Sequence, residues 1–323
     1  MSYFKPPYQL SPEIYNLSID IQQILGELKS IQLAKPSVKL RKENKIKTVH
    51  HSLAIEGNSL TIDQVTALLE NKRVYGPKNQ ITEVVNALAA YEDISKYNST
   101  KETELKKAHA ILTKNLVHVS GEYRNSNVGI LKGTKISHVA PQAKMVTALM
   151  KNLFKYLIDV TEKSYLIKAC VFHYELEFIH PFEDGNGRIG RLWQQLILMK
   201  HSEVFQYVSI ESLIYKEQKK YYQVLETCDK AGDSTAFIEF SLTLILKALQ
   251  QFQKEYLPKR ITSEERILFA KEHFKKKEFS RKNYIQLFES ISTATASRDL
   301  AAAVEKKIFK ISGDKSNAKY RSL

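Results

Sequence analysis

Twelve consecutive residues, His180-Pro-Phe-Glu-Asp-Gly-Asn-Gly-Arg-Ile-Gly-Arg191, hold the side-chain types that phosphate chemistry needs. The imidazole of His180, when neutral, accepts a hydroxyl proton near pH 7. Asp184, four residues on, is the single carboxylate that Mg²⁺ takes from a protein when phosphate oxygens and water fill its other positions. Gly185, Asn186 and Gly187 separate a helix ending near Ile179 from one starting near Arg188. Their peptide N–H groups therefore fall at a helix N-terminus, and small residues there let the backbone close around phosphate oxygens. Arg188 and Arg191, three apart, share the face opposite the apolar positions Ile189, Leu192, Trp193, Leu196 and Ile197. Gly-Asn-Gly alone is only a tight turn. Base, carboxylate, glycines and two arginines in this order point to phosphoryl or nucleotidyl transfer. His173, one heptad before His180, is expected to pack or hydrogen-bond beneath the loop.

A second carboxylate stands out far upstream. Lys45 to Glu56 predicts a helix stopped by Gly57-Asn58, with Thr61-Ile-Asp-Gln64 capping the next one. Glu56 then occupies a helix C-terminus, where the dipole disfavours a carboxylate by roughly 0.3–1 kcal/mol, so a cationic partner or a functional reason is expected. Ser52 lies four residues earlier on the same face.

The elements that must position these residues are mainly helical. Apolar residues recur at helical spacing almost throughout, as at Leu149, Leu153 and Tyr156. Between Gly121 and Val146 the pattern lapses into loop text with a short predicted β-hairpin, which leaves an extended backbone exposed around Thr134, Lys135, Ile136, Ser137, His138 and Val139. With 323 residues the chain exceeds one ordinary core, and 43% apolar with 26% charged residues is a globular balance. Punctuation near Asn98 to Thr100 and at Tyr256-Leu-Pro258 divides it into 1–98, 99–256 and 259–323. Met1 to Leu17 lacks the apolar centre of a signal peptide, and no run reaches membrane-spanning length. Cys170 and Cys228, both in helical text, fit reduced core thiols. These features predict a cytoplasmic protein.

The formal net charge is +14, and residues 259–323 hold 16 Lys and Arg against 8 Asp and Glu, so +8 of it sits on the last fifth of the chain. There, Thr262-Ser-Glu-Glu265 caps a helix to about Lys275 and Ser280 opens a second near Arg281. A third follows Ser292. Ile308 to Ile311 and Ala318 to Leu323 then read as paired strands. Three helices with a two-stranded wing resemble a winged helix-turn-helix. In that arrangement Thr293, Thr295, Ser297 and Arg298 face a DNA groove while Lys315 and Lys319 meet phosphates. A protein-docking or spacer module is the alternative.

The segment from His180 to Arg191 matches the signature of the Fic family, H-x-F-x-(D/E)-G-N-G-R-x-x-R, at every defining position. The similarity runs from about Lys101 to Tyr256, and the family fold is a helical bundle with one β-hairpin. The resemblance implies a protein adenylyltransferase: His180 deprotonates a Ser, Thr or Tyr hydroxyl, which attacks the α-phosphate of ATP as pyrophosphate leaves. It gives Asp184 the Mg²⁺, Gly185, Asn186 and Gly187 the anion hole, Arg188 the β-phosphate and Arg191 the γ-phosphate. Tyr221 or Tyr222 would line the adenine pocket, with core packing as the alternative. Residues Thr134 to Val139 resemble the family flap, which pairs with a strand of the target. Ser52-Leu-Ala-Ile-Glu56-Gly57 also fits the family's inhibitory pattern (S/T)-x-x-x-E-(G/N), in which Glu56 pairs with Arg191 and denies it to the γ-phosphate. Some relatives use the same Glu in AMP removal. Candidate partners are ATP, a target protein, DNA through the C-terminal segment and a second copy of the chain as a homodimer. A nucleotide-sensing DNA regulator and a transferase with another donor remain alternatives.

Overall fold

The computed structural model describes residues 5–30, 38–92, 94–132, 135–256, 262–288, 291–313 and 317–323. Helices α1 (Pro12–Ser30), α2 (Val38–Ile55), α3 (Ile62–Leu69), α4 (Lys78–Glu92) and α5 (Glu102–Leu112) lead to a hairpin of β1 (Gly129–Lys132) and β2 (Lys135–Val139). Then follow α6 (Ala143–Ile158), α7 (Tyr165–Ile179), α8 (Asn186–His201), α9 (Glu211–Lys216), α10 (Gln218–Ala231) and α11 (Thr235–Tyr256). Short 3-10 turns at Ile94–Lys96 and Glu203–Tyr207 complete this part.

Helices α7 and α8 pack together at the centre. Along α7 the consecutive residues Ala169, Cys170, Val171, Phe172, His173 and Tyr174 are all buried, which no surface helix shows. The same holds for α8, where Arg188 to Leu198 is buried without a break. The sequence pattern expects an open polar face on α8. Instead Arg188 and Arg191 are 5% and 1% exposed. Their face is covered by other helices that bring acids to it, so polarity here marks a buried charge site.

The chain forms two compact units, Met1–Glu255 and Tyr256–Leu323. The break expected near residue 98 does not divide them. Asn98-Ser-Thr100 is a local turn, with Thr100 N–H bonded to Asn98 Oδ1, and the carbonyl of Ser99 accepts from the buried Trp193 indole at 3.0 Å. That turn is stitched into the central helices. From the other end, Ser234 N–H donates to Pro7 O at 3.0 Å, and α2 packs on α4, α8 and α9.

The second unit contains α12 (Ser263–Phe274), β3 (Phe279–Ser280), α13 (Arg281–Leu287), α14 (Thr293–Glu305), β4 (Phe309–Ser312) and β5 (Lys319–Ser322). The strands form an antiparallel sheet in the order β3-β5-β4. Capping boxes at Thr262 and Ser280, and Ser292 Oγ accepting from Thr295 N–H, start the helices where the sequence places them. Phe279, Tyr284, Leu300 and Phe309 anchor its core, beside a bidentate ion pair of Arg266 with the buried Asp299. Cys170 and Cys228 are free and buried. Among the described residues no helix is long and apolar enough to cross a membrane.

Candidate active site

His180 ends α7 in the left-handed conformation, φ 49° and ψ 58°, with its N–H on Leu176 O at 2.9 Å. A side chain with a Cβ pays roughly 1–2 kcal/mol there, so something must hold it. Arg124 does. Its Nε donates to His180 O at 2.7 Å, and its other nitrogens reach Ser126 O, Pro141 O and Ile179 O at 2.7, 2.6 and 3.3 Å. One buried guanidinium thus satisfies the carbonyls that α7 leaves open and ties both roots of the β1–β2 hairpin to the base. Sequence reasoning missed Arg124, because an Arg in loop text has no periodicity to mark it.

His109, on α5, fixes the other half of the loop. Its Nε2–H donates to Asp184 O at 2.8 Å and its Nδ1 accepts from Gly121 N–H at 3.0 Å. A carbonyl can only accept, so the proton is on Nε2. Burial, more than the opposing bond to Asp184, brings this histidine down to about 4. The ring stacks on Phe182 at 3.7 Å. His109 was detectable in principle: it shares the α5 face of Leu105 and Leu112, all three buried.

Between these anchors the loop is closed by its own side chains. Asn186 Oδ1 accepts Phe182 N–H at 2.9 Å while its Nδ2 donates to Phe182 O at 3.0 Å. The Asn186 side chain therefore shapes the loop, leaving its backbone amide for an anion. Gly185 adopts φ 82°, and a Cβ there would lie 2.9 Å from Thr113 Cγ2, so glycine is required twice over. Ile189 N–H makes the first helical bond, to Gly185 O, so the amides of Asn186, Gly187 and Arg188 are the orphan donors at the mouth.

Asp184 is 60% exposed; its Oδ1 accepts Gly185 N–H at 2.6 Å and its Oδ2 pairs with Arg188 at 2.7 Å. Among the described residues no group of three or more His, Cys, Asp or Glu could hold a metal. That donor set suits only an ion whose other ligands arrive with a substrate. Arg188 also faces Glu83 of α4 at 3.7 Å.

Arg191 is enclosed by Ser52 and Glu56. Its Nε donates to Ser52 Oγ at 3.1 Å, and its second terminal nitrogen reaches Ser52 O at 2.9 Å and Glu56 Oε1 at 2.7 Å. Burial works against the guanidinium charge, but Glu56, then Tyr221 and Glu177, outweigh it and raise its pKa. A methyl group built on Gly187 would run into Glu56 Oε1. The Glu56 carboxylate therefore lies against the Cα of Gly187, in the first turn of α8. Helix α2 stops at Ile55, one residue short of expectation, and Glu56 sits in the turn that follows.

The two tyrosines part company. Tyr221 is 1% exposed, its hydroxyl 3.1 Å from both His173 Nε2 and Glu177 Oε1, and burial, then the Glu177 charge, pushes its pKa well up. It packs beneath the loop and offers no face to a base, which corrects one of the two adenine assignments. His173 joins it there, with its Nδ1 2.9 Å from Gln194 Oε1 on the other side of the ring. Tyr222 is half-buried, and its hydroxyl donates to Ile55 O at 3.2 Å, where Gln218 Nε2 donates at 2.7 Å. Both cap the C-terminus of α2. Glu177, unassigned in the sequence reading, faces Gly187 one turn before His180. Burial works to raise its pKa, but His173, Arg191 and His180 hold it low. The hairpin is antiparallel, with Gly129 opposite Val139, Ile130 opposite His138, Leu131 opposite Ile136 and a bulge that skips Ser137. Thr134 lies outside the described residues.

Residues 99–198 match the Fic/DOC family. The crystal structure of a Fic family protein from Desulfovibrio desulfuricans is 35% identical, covers 99% of this chain and 98% of that one, and superposes with a TM-score of 0.75. This chain belongs to the Fic/DOC family. Among curated proteins, protein adenylyltransferase Fic of Culex quinquefasciatus is 31% identical over 212 residues, 62% of this chain and 40% of that protein. Protein adenylyltransferase fic-1 of Caenorhabditis elegans is 26% identical over 259 residues, 77% of this chain and 48% of that protein. The Fic chain described here spans less than half the length of these curated relatives.

Proposed function

We propose that residues 5–255 transfer AMP from ATP to a Ser, Thr or Tyr hydroxyl of a target protein and that Glu56 holds this activity off. The observation that carries the reading is the Arg191–Glu56 pair, joined across 135 residues of sequence, with the Glu56 carboxylate pressed on Gly187 at the mouth of the anion cradle.

In the active state His180 takes the hydroxyl proton at its imidazole, the freed oxygen bonds to the α-phosphorus, and the bond to the bridging oxygen breaks with pyrophosphate as leaving group. The amides of Asn186, Gly187 and Arg188 receive phosphate oxygens, and Arg188 and Arg191 hold the β- and γ-phosphates. Asp184 is the residue that would hold Mg²⁺, whose charge would neutralise the phosphates. The β1–β2 hairpin, rooted to His180 through Arg124, would pair with an extended target segment so that its hydroxyl meets the base. With Glu56 in place, the carboxylate competes with the γ-phosphate for Arg191 and repels its charge.

Incubation with ATP labelled on the α-phosphate tests the reading. Glu56→Gly should label itself or added protein with a mass gain of one AMP, and His180→Ala should remove the label in either background. Label that survives His180→Ala would sink the transfer mechanism.

A second reading concerns residues 256–323, whose order α12-β3-α13-α14-β4-β5 supports a winged helix-turn-helix, with Thr293, Arg298 and Lys319 exposed and Lys315 outside the described residues. Ser297 Oγ is engaged by Thr293 O and Arg281, and Thr295 by Ser292, so Arg298 is the stronger groove candidate. A salt-dependent mobility shift with duplex DNA, lost in Arg298→Ala, tests this.

A further inference from the structure

Charged groups from three elements converge on one point beside the first turn of α8. A methyl group built on Gly187 would meet Glu56 Oε1 from the turn after α2, Arg191 Nη1 at 3.0 Å and Glu177 Oε1 from α7 at 3.3 Å. Two carboxylates therefore attend one guanidinium.

They are held differently. Glu56 hangs from a turn, and its side chain is 38% exposed. Glu177 stands on the central helix with its side chain 14% exposed, accepts the Tyr221 hydroxyl at 3.1 Å and has His173 Nε2 at 3.8 Å. Tyr221 and His173 are both buried, so this carboxylate is fixed from below. Ionised carboxylates at such depth need compensating charge, and His173, Arg191 and His180 supply it.

When Glu56 swings away, Glu177 cannot follow. The Arg191 guanidinium then still faces one resident negative charge, so the space that Glu56 leaves is closer to neutral than the two signature arginines suggest. A polyphosphate entering it gains Arg191 and is repelled by Glu177, at close range in a site largely shielded from water. The donors that hold the outer phosphates of ATP also hold pyrophosphate once the α-phosphorus has been transferred, so a more positive subsite would retain the product.

We propose that Glu177 is a specificity-determining residue of the γ-phosphate subsite: a permanent carboxylate that, with Glu56 away, lowers the affinity of Arg191 for the terminal phosphate and so lets pyrophosphate leave. The inference deepens the transfer reading above and rests on its placement of the γ-phosphate at Arg191.

Calorimetric titration of the full chain carrying Glu56→Gly, in the presence of Mg²⁺, tests it. The probe is α,β-methylene-ATP, whose bridge resists cleavage, and the control is AMP, which lacks the outer phosphates. Glu177→Gln removes the charge and keeps an acceptor for the Tyr221 hydroxyl. It should tighten the triphosphate about tenfold and leave AMP within about twofold. In turnover it should lower the KM for ATP and the inhibition constant of pyrophosphate by about the same tenfold. Glu177→Met, which removes the charge at similar length, should act in the same direction and is read where Glu177→Gln fails to fold. Triphosphate affinity unmoved by both substitutions overturns the proposal, as does a parallel loss of triphosphate and AMP, which a merely structural role predicts. Arg191→Ala in the same background separates the two levels. Triphosphate binding that weakens in Arg191→Ala but ignores Glu177→Gln overturns the role of Glu177 alone. Binding indifferent to Arg191→Ala overturns the γ-phosphate placement, and the role of Glu177 with it.

Discussion

The loop from His180 to Arg188 and the proposed brake at Ser52 and Glu56 meet at Arg191 but are built differently. The loop from His180 to Arg188 is held from within and below: Asn186 locks Phe182, His109 holds Asp184 O and stacks on Phe182, and Arg124 clamps His180 O. The brake is a turn at the end of α2 held by side chains. Glu56 is 38% exposed, and Ile55 O is met by Gln218 and Tyr222. Under the proposed function, the contrast teaches that the phosphate site would be preformed while the brake would be a half-exposed turn able to leave it. Release would then require a turn to move, with the loop left as it is.

That difference ranks the consequences of mutation. His180→Ala should cost about 10²–10⁴ in labelling rate within the Glu56→Gly background, because the base is gone while the fold is kept. Arg124→Ala should lower the same rate by about 10- to 100-fold, since the left-handed turn and the hairpin root lose their common clamp. Arg124→Lys should not rescue it, because an ammonium cannot span four carbonyls as a guanidinium fork does. A full rate in Arg124→Ala would show the loop to be self-sufficient and break the comparison on its rigid side.

His109 gives a pH test of that rigidity. Its pKa is near 4 folded and 6.5 unfolded, so below pH 6.5 the unfolded chain takes up a proton that the folded chain refuses. Stability contributed by neutral His109 is therefore full above pH 6.5 and falls as the pH drops toward 4, by about 3 kcal/mol at most. His109→Gln should flatten that limb of the unfolding curve, measured by denaturant titration across the range.

The smallest effect belongs to the α2 cap. Gln218→Ala or Tyr222→Phe removes one neutral hydrogen bond of about 0.5–1.5 kcal/mol, so basal labelling should rise two- to tenfold in each, without reaching the Glu56→Gly level. No rise in either would place the hold on the brake wholly at Arg191.

What could be read from the sequence follows the same division. The helices of residues 262–305 were legible because caps such as Thr262 and Ser280 are local signals, and the His180–Arg191 segment because its chemistry is contiguous. Ser52 and Glu56 were legible from a motif and one unfavourable dipole. The burial of α8 on all sides was not, since an apolar stripe says nothing of what covers the opposite face. Nor were Arg124 and Gln218, each of which acts on backbone carbonyls distant in sequence. Such bonds use groups that every residue has, so composition cannot point to them.

The central claim is that Glu56 acts through Arg191, and a double-mutant cycle on α-labelled ATP tests it most directly. Glu56→Gly should raise labelling on the order of tenfold or more in the presence of Arg191, as expected for removing a charge-assisted contact of about 1.5–3 kcal/mol. In an Arg191→Ala background the same substitution should change little, because the γ-phosphate has already lost that partner. An equal gain from Glu56→Gly with and without Arg191 would contradict the account.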